Sequence, residues 1–166
     1  MNAWTVLGMI EWSKGYLAEK GLGNARLESE LLLSHALSLS RVGLYTAHDR
    51  VLAPAELARY KELLKRRLTG EPVQYVTGTA AFMFTEFEVN PSVLIPRPET
   101  EALTEIALKV IGEMGPSPLV ADVGTGSGVI ATTVALKVPG ATVYATDVSA
   151  DALTVAARNA SRAGVA

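Results

Sequence analysis

The chain has 166 residues, of which 49% are hydrophobic and 19% charged, enough apolar material for a core and a length that suits one average domain or two small ones. Its formal net charge of −2 argues against nucleic-acid binding as the main business of the chain, because such domains usually carry a basic excess. The absence of cysteine excludes disulfides, thiolate metal sites and cysteine nucleophiles together, and two histidines, His35 and His48, are too few and too far apart to found a metal site.

The N-terminus lacks a basic lead and a signal-type apolar run, and no stretch approaches the roughly 20 apolar residues that span a bilayer, so a cytoplasmic protein is expected, with no membrane partner. Residues 1–73 read as a helical bundle. From Trp4 to Glu19, Val6, Ile10 and Leu17 share a face, and Gly21 and Gly23 end the element. Trp4 and Trp12, eight residues apart, are expected in the bundle core. Asn24 is placed as the cap of a second helix with an apolar stripe of Leu27, Leu31, Leu32 and Leu37. A short element around Val42–Tyr45 follows. Pro54 then opens a helix in which Leu57, Tyr60, Leu64 and Leu68 recur at helical spacing, with Lys65, Arg66 and Arg67 in its last turn and Gly70 as its stop. Lys61 and that basic run are read as an ordinary charged helix face. His35 is expected to be packed or half exposed, and His48 to lie in a solvated loop.

Residues 74–91 change pattern. Ala81–Phe84 and Phe87–Val89 are short and aromatic, and they predict a hairpin whose turn falls at Thr85-Glu86. Asn90-Pro91 reads as a turn. From residue 92 the chain enters an α/β pattern. Pro96 and Pro98 fix an extended approach, and Pro98 opens a helix to about Gly112. Leu119–Val123 predicts a strand, Gly124–Gly128 a glycine turn, and a helix then runs to about Lys137. Thr142–Thr146 predicts a second strand, followed by a helix capped by Ser149 and ended near Gly164. That βαβα order is the opening half of a doubly wound parallel sheet, which normally has five or more strands, so the 166 residues are expected to be the front part of a longer polypeptide.

The chemistry sits in Asp122-Val123-Gly124-Thr125-Gly126-Ser127-Gly128, where a strand ends and a helix begins. Glycines there let the backbone turn sharply and let a ligand approach main-chain amides at a helix N-terminus. Asp147 closes the next strand about 20 residues on, where a carboxylate can hold ribose hydroxyls. A dinucleotide fingerprint wants its third glycine further along, and Val129 breaks it. The order G-x-G-x-G, with Asp122 ahead to face a cationic amino group, suits an adenosyl ligand bearing an amino acid better than a pyrophosphate.

This pattern resembles the first motif of the Rossmann-like S-adenosylmethionine-dependent methyltransferases. With Gln74-Tyr75-Val76-Thr77-Gly78, Phe87-Glu88-Val89 and Val93-Leu94-Ile95-Pro96-Arg97-Pro98-Glu99-Thr100-Glu101 ahead of it, the chain resembles the PrmC/HemK family over essentially all of its length. It departs from that family at Ala81-Phe82-Met83-Phe84, where a Glu-Phe-Tyr-Gly-like segment is usual. The resemblance implies S-adenosyl-L-methionine as cofactor, held by Gly124, Thr125, Gly126, Ser127, Gly128 and Asp147, with Asp122 and Arg97 as further candidates beside the acids Glu99 and Glu101. It implies N5-methylation of the glutamine in the Gly-Gly-Gln motif of peptide chain release factors, by direct displacement in which the amide nitrogen attacks the methyl group. Residues 1–73 would dock that protein substrate, 74–91 would link, and 92–166 would begin the methyltransferase domain. The family's Asn-Pro-Pro-Tyr acceptor motif is absent here and expected beyond residue 166, so no catalytic residue and no metal ligand is assigned in this chain. Two rival readings remain at this level: a methyltransferase for another planar nitrogen, such as adenine in nucleic acid, and a non-catalytic docking module.

Overall fold

In the computed structural model, which describes residues 3–166, the first helix begins where the sequence supplies a cap. Thr5 is extended and its hydroxyl accepts from the Gly8 amide at 3.1 Å, satisfying one of the donors that open α1 (Val6–Glu19). Val6, Met9, Ile10, Ser13 and Leu17 make the buried face of α1. Four more helices follow: α2 (Ala25–Leu37), α3 (Arg41–Thr46), α4 (Pro54–Leu68) and α5 (Val73–Thr77). These five form one unit ending at Thr77; a second begins at Gly78. The core of the first unit gathers Ile10, Leu17, Leu32, Leu33, Leu44 and Tyr60, all nearly inaccessible.

Several expectations for this unit need correction. Trp4 and Trp12 are 40% and 45% exposed, so they are not core. Their shared face is the solvent side of α1, where Trp4 meets Trp12 edge-on at 5.9 Å and Trp12 stacks on Tyr16 at 5.1 Å. In α2 the buried face is Ala25, Ser29, Leu32, Leu33 and Ala36, and Leu27 is exposed. Of the expected stripe only Leu27 faces out, since Leu32 is buried and Leu31 and Leu37 pack against the core; the buried face also takes in small hydroxyl residues. Ser29 Oγ donates to Ala25 O at 2.7 Å and Ser13 Oγ to Met9 O at 2.6 Å, which cancels the polarity that would otherwise bar them. Asn24 precedes α2 without a side-chain cap bond.

Charge in this unit is spent internally. Arg67 pairs with Glu28 at 2.6 Å with both side chains mostly buried, which ties α4 to α2. Arg66 bonds Glu71 at 2.9 Å and Lys65 bonds Glu62 at 2.7 Å. Glu30, 2% exposed, accepts from Arg26 Nε at 3.1 Å, from Arg41 Nη2 at 2.6 Å and from the Tyr45 hydroxyl.

In the second unit β1 (Thr79–Phe82) and β2 (Thr85–Glu88) form an antiparallel hairpin with Thr79 opposite Glu88 and Phe82 opposite Thr85. The turn is therefore Met83-Phe84 rather than Thr85-Glu86. Both turn residues are left-handed, with φ of 46° and 67°, the backbone that a two-residue type I′ hairpin requires and that Asn-Gly would normally announce. Glu101 holds the turn from outside by accepting from the Met83 amide at 2.7 Å. Phe82 and Phe87 meet edge-to-face at 6.1 Å and pack on Val129.

After Arg97 comes α6 (Pro98–Glu113), then β3 (Leu119–Val123), α7 (Val129–Lys137), β4 (Thr142–Thr146) and α8 (Ala150–Ala163). Strands β3 and β4 are parallel, with Leu119 opposite Thr142 and Val123 opposite Thr146. Equal strand lengths in register bring the carboxyl ends of both strands, and the loops that follow them, to the same edge, where open α/β sheets bind ligands. Ser149 caps α8 by accepting from the Ala152 amide at 3.2 Å, as expected. Gly164 ends it in the left-handed conformation.

Candidate functional site

The loop between β3 and α7 bends through three left-handed glycines, Gly124, Gly126 and Gly128, with φ of 80°, 55° and 78°. Their surroundings divide them. A Cβ on Gly124 or Gly126 would meet nothing within 4 Å, so the space above these two is open. On Gly128 it would lie 2.9 Å from Ala156 Cβ and 3.0 Å from Ala156 Cα, so this glycine lets α8 approach the start of α7. The first two leave room for a ligand; the third serves packing.

The loop amides are mostly committed to the protein itself. Gly124 and Thr125 both donate to Thr146 O, at 2.8 and 2.9 Å, which stitches the loop to the end of β4. Gly126 N donates to Asp147 Oδ2 at 2.9 Å and Gly128 N to Thr125 O at 2.8 Å. Among the described residues, Ser127 alone of the five keeps an amide with no partner. The side chains of Thr125 and Ser127 belong to buried residues. Thr125 Oγ1 donates to Asp122 Oδ2 at 2.7 Å, and that same oxygen accepts from the Ala131 amide at 3.2 Å in the first turn of α7. Asp122 thus fastens strand end, loop and helix together.

Asp147 lies just past β4 and faces the loop. Besides the Gly126 bond, its Oδ1 accepts from the Ser149 amide at 2.9 Å. The amides of Ser149, Gly126 and Val148, in that order of influence, hold its carboxyl below the ordinary carboxylate range, so it is ionised at neutral pH. A carboxylate has about four acceptor positions, so hydroxyls can still be bound beside these amides.

The structure therefore brings together Asp122, Gly124–Gly128 and Asp147. It does not bring Arg97 to them. Arg97 is exposed, sits extended before α6 and makes no side-chain cap. Glu99 is likewise exposed, while Glu101 serves the hairpin turn. Asn90 accepts from the Ser92 amide at 2.9 Å through its side chain, the Asx turn its Asn-Pro context predicts. His35 and His48 are both exposed.

One residue at the loop escaped the sequence reading. Asn159, 3% exposed, donates through Nδ2 to Ser127 O at 2.8 Å and to Glu88 O at 3.0 Å, while its Oδ1 accepts from the Glu88 amide at 2.7 Å. A signal was available. Residue 159 falls on the same face of α8 as Ala152, Val155 and Ala156, all buried, and a polar amide on an apolar helical face needs partners.

A parallel βα unit with an open glycine turn and an acidic residue closing the next strand is an α/β segment of the methyltransferase type. Two family models match the chain: one described as the PrmC N-terminal domain over residues 9–78 and one described as the methyltransferase small domain over residues 100–166. The release factor glutamine methyltransferase of Chlorobaculum tepidum is 47% identical over 99% of this chain and 57% of its own length. That of Geobacter sulfurreducens is 48% identical over 97% of this chain and 56% of its own, and that of Nitratidesulfovibrio vulgaris 43% over 98% and 54%. The chain belongs to the PrmC/HemK family of methyltransferases. It spans a little over half the length of these curated relatives.

Proposed function

We propose that the protein uses S-adenosyl-L-methionine to methylate the amide nitrogen of the glutamine in the Gly-Gly-Gln motif of peptide chain release factors. The observation that carries the cofactor half is the pairing of an ionised Asp147 with two glycines, 124 and 126, that leave open space above the loop. An adenosyl sulfonium fits this donor set. Asp147 would hold the ribose hydroxyls, Gly124 and Gly126 would let the ligand lie against the main chain, and Asp122, through the carboxylate oxygen its loop bonds leave over, would face the amino group directly or through water. Thr125 and Ser127 contribute backbone rather than side chain, and Arg97, exposed and without a bond to the loop, is left out of the set.

When bound, the cofactor supplies an electrophilic methyl group on sulfonium. The glutamine amide is a poor nucleophile because its lone pair is delocalised, so positioning and hydrogen bonding must provide most of the acceleration. This chain's share is to fix the cofactor. The relatives' printed name supports the substrate class, and nothing in the structure favours adenine as acceptor. A release factor as substrate implies work in the cytoplasm; among the described residues no helix is long and apolar enough to cross a membrane.

For the helical unit the reading is substrate docking. Its exposed pair Trp4 and Trp12, backed by the half-buried Tyr16, supports this, since aromatic side chains dominate the energetics of protein contacts. Calorimetric titration of the full-length protein with S-adenosylhomocysteine tests the cofactor half: micromolar-class binding is expected, and Asp147→Ala should weaken it on the order of tenfold to a hundredfold. No binding by the wild type would leave only a docking module. Methylation of intact release factor against a short Gly-Gly-Gln peptide tests the other half: Trp12→Ala, or removal of residues 1–73, should depress the first far more than the second. Equal effects on both would end the docking assignment.

A further inference from the structure

We propose that Asn159 is a positioning residue for the cofactor loop, setting the peptide plane between Ser127 and Gly128 and through it the surface on which the ligand lies; the inference rests on the adenosyl reading of that loop. The Ser127–Gly128 peptide is held at both ends. Its carbonyl accepts from Asn159 Nδ2 at 2.8 Å, and its N–H, on Gly128, donates to Thr125 O at 2.8 Å. Gly126 just before it and Gly128 at its end both have positive φ, so the protein's own bonds, rather than side-chain bulk, must fix this plane.

Asn159 reaches the loop from a firm base. Its remaining Nδ2 hydrogen and its Oδ1 bond both backbone groups of Glu88, at 3.0 and 2.7 Å, much as a neighbouring strand would. One side chain thus joins the hairpin edge, the middle of α8 and the glycine loop, using three of the four hydrogen bonds an amide can make. Ser127 is 2% exposed, so its carbonyl has little access to water if Asn159 is removed. The neighbouring Arg158 provides an internal control. It pairs with the Glu88 side chain at 2.6 Å, anchoring the same hairpin strand, but makes no bond to the loop.

The experiment compares Asn159→Ala with Arg158→Ala in the full-length protein, reading hydrogen exchange at loop amides without ligand and calorimetric binding of S-adenosylhomocysteine. Positioning predicts that Asn159→Ala speeds exchange of the Gly128 amide at least tenfold and weakens S-adenosylhomocysteine at least tenfold, while Arg158→Ala changes each by less than twofold. Should Asn159→Ala not fold, Asn159→Asp carries the same comparison, because it keeps the acceptor for the Glu88 amide but offers no amide donor to Ser127 O. A lowered melting temperature with wild-type affinity and wild-type exchange at Gly128 would reduce Asn159 to a hairpin support and overturn the proposal. A wild type that does not bind S-adenosylhomocysteine would sink the adenosyl reading instead, and the exchange comparison would still decide whether Asn159 orders the loop.

Discussion

Replacing Gly128 by alanine puts two separable strains on one position. The φ of 78° costs an L-residue about 1–2 kcal/mol relative to glycine. The new methyl would lie 2.9 Å from Ala156 Cβ and 3.0 Å from Ala156 Cα, and one of these is backbone, so α8 itself must shift. Overpacking of this kind adds about 1–3 kcal/mol, for a total of about 2–5 kcal/mol. At about 2–4 °C per kcal/mol for a protein of this size, the melting temperature should fall by roughly 4–20 °C. Gly126→Ala is the control: its φ of 55° brings a similar backbone cost, but its methyl meets nothing, so about 1–2 kcal/mol is the whole loss. Its larger effect should be on cofactor affinity, because the methyl occupies the open space. Urea unfolding of both variants measures the difference, and adding Ala156→Gly to Gly128→Ala should recover only part of the loss, since Ala156 Cα stays in place. If Gly128→Ala and Gly126→Ala unfold within 0.5 kcal/mol of each other, the close approach of α8 is not what requires glycine at 128.

Phe84→Gly should stabilise the hairpin by a net ~0.5–1 kcal/mol, because relief of a left-handed phenylalanine, about 1–2 kcal/mol, exceeds the added unfolded-chain entropy, and the ring is fully exposed; a destabilised variant in urea would show that the ring makes a contact that matters. Burial alone would push the Glu30 carboxyl up, but bonds from Tyr45, Arg41 and Arg26 outweigh it and hold the group below its ordinary range. Glu30→Gln sets an amide donor against those donors and should cost about 1–3 kcal/mol at neutral pH. Because the folded-state pKa is depressed, the contribution of Glu30 is complete above the unfolded carboxylate pKa and lost as pH falls through the folded value. The stability gap between wild type and variant should therefore narrow in acid; a gap that is constant between neutral pH and pH 3 refutes the charge argument.

Much of this architecture was legible because its signals are local. Pro54, Ser149, Gly70 and Gly164 act within one turn of chain, and the βαβα order follows from short apolar runs separated by glycines. What failed were judgements of which face a helix buries. In α2 and α1, Ser29 and Ser13 lie in the core with their hydroxyls bonded to carbonyls one turn back, so hydrophobicity alone mistook Leu27 and the tryptophans for inward residues. The hairpin turn was misplaced for a different reason. Met83 and Phe84 carry none of the composition of a type I′ turn and owe their conformation to remote partners: the Glu101 carboxylate, eighteen residues on, and the Phe82–Phe87–Val129 cluster. At the site, residue types and spacing gave the loop and Asp147, but Asn159 was invisible to a motif search because its partners are 32 and 71 residues away.

The direction in which the loop's own bonds run bears on which ligand it can take. A pyrophosphate site needs unspent amides converging on the anion at a helix N-terminus. Here Gly124, Thr125, Gly126 and Gly128 give their amides to protein acceptors, and one of those acceptors is the carboxylate of Asp147 itself. The charge that Asp122 and Asp147 bring to the loop is negative, so an incoming anion would meet repulsion with only the Ser127 amide of the loop to offset it. A sulfonium with an ammonium nearby meets the opposite field, and the ribose hydroxyls find an acceptor already fixed in place by two backbone amides. The largely satisfied backbone of these five residues between a strand and a helix thus supports the proposed cationic adenosyl ligand over a dinucleotide. That support is independent of the missing third glycine from which the sequence first suggested it.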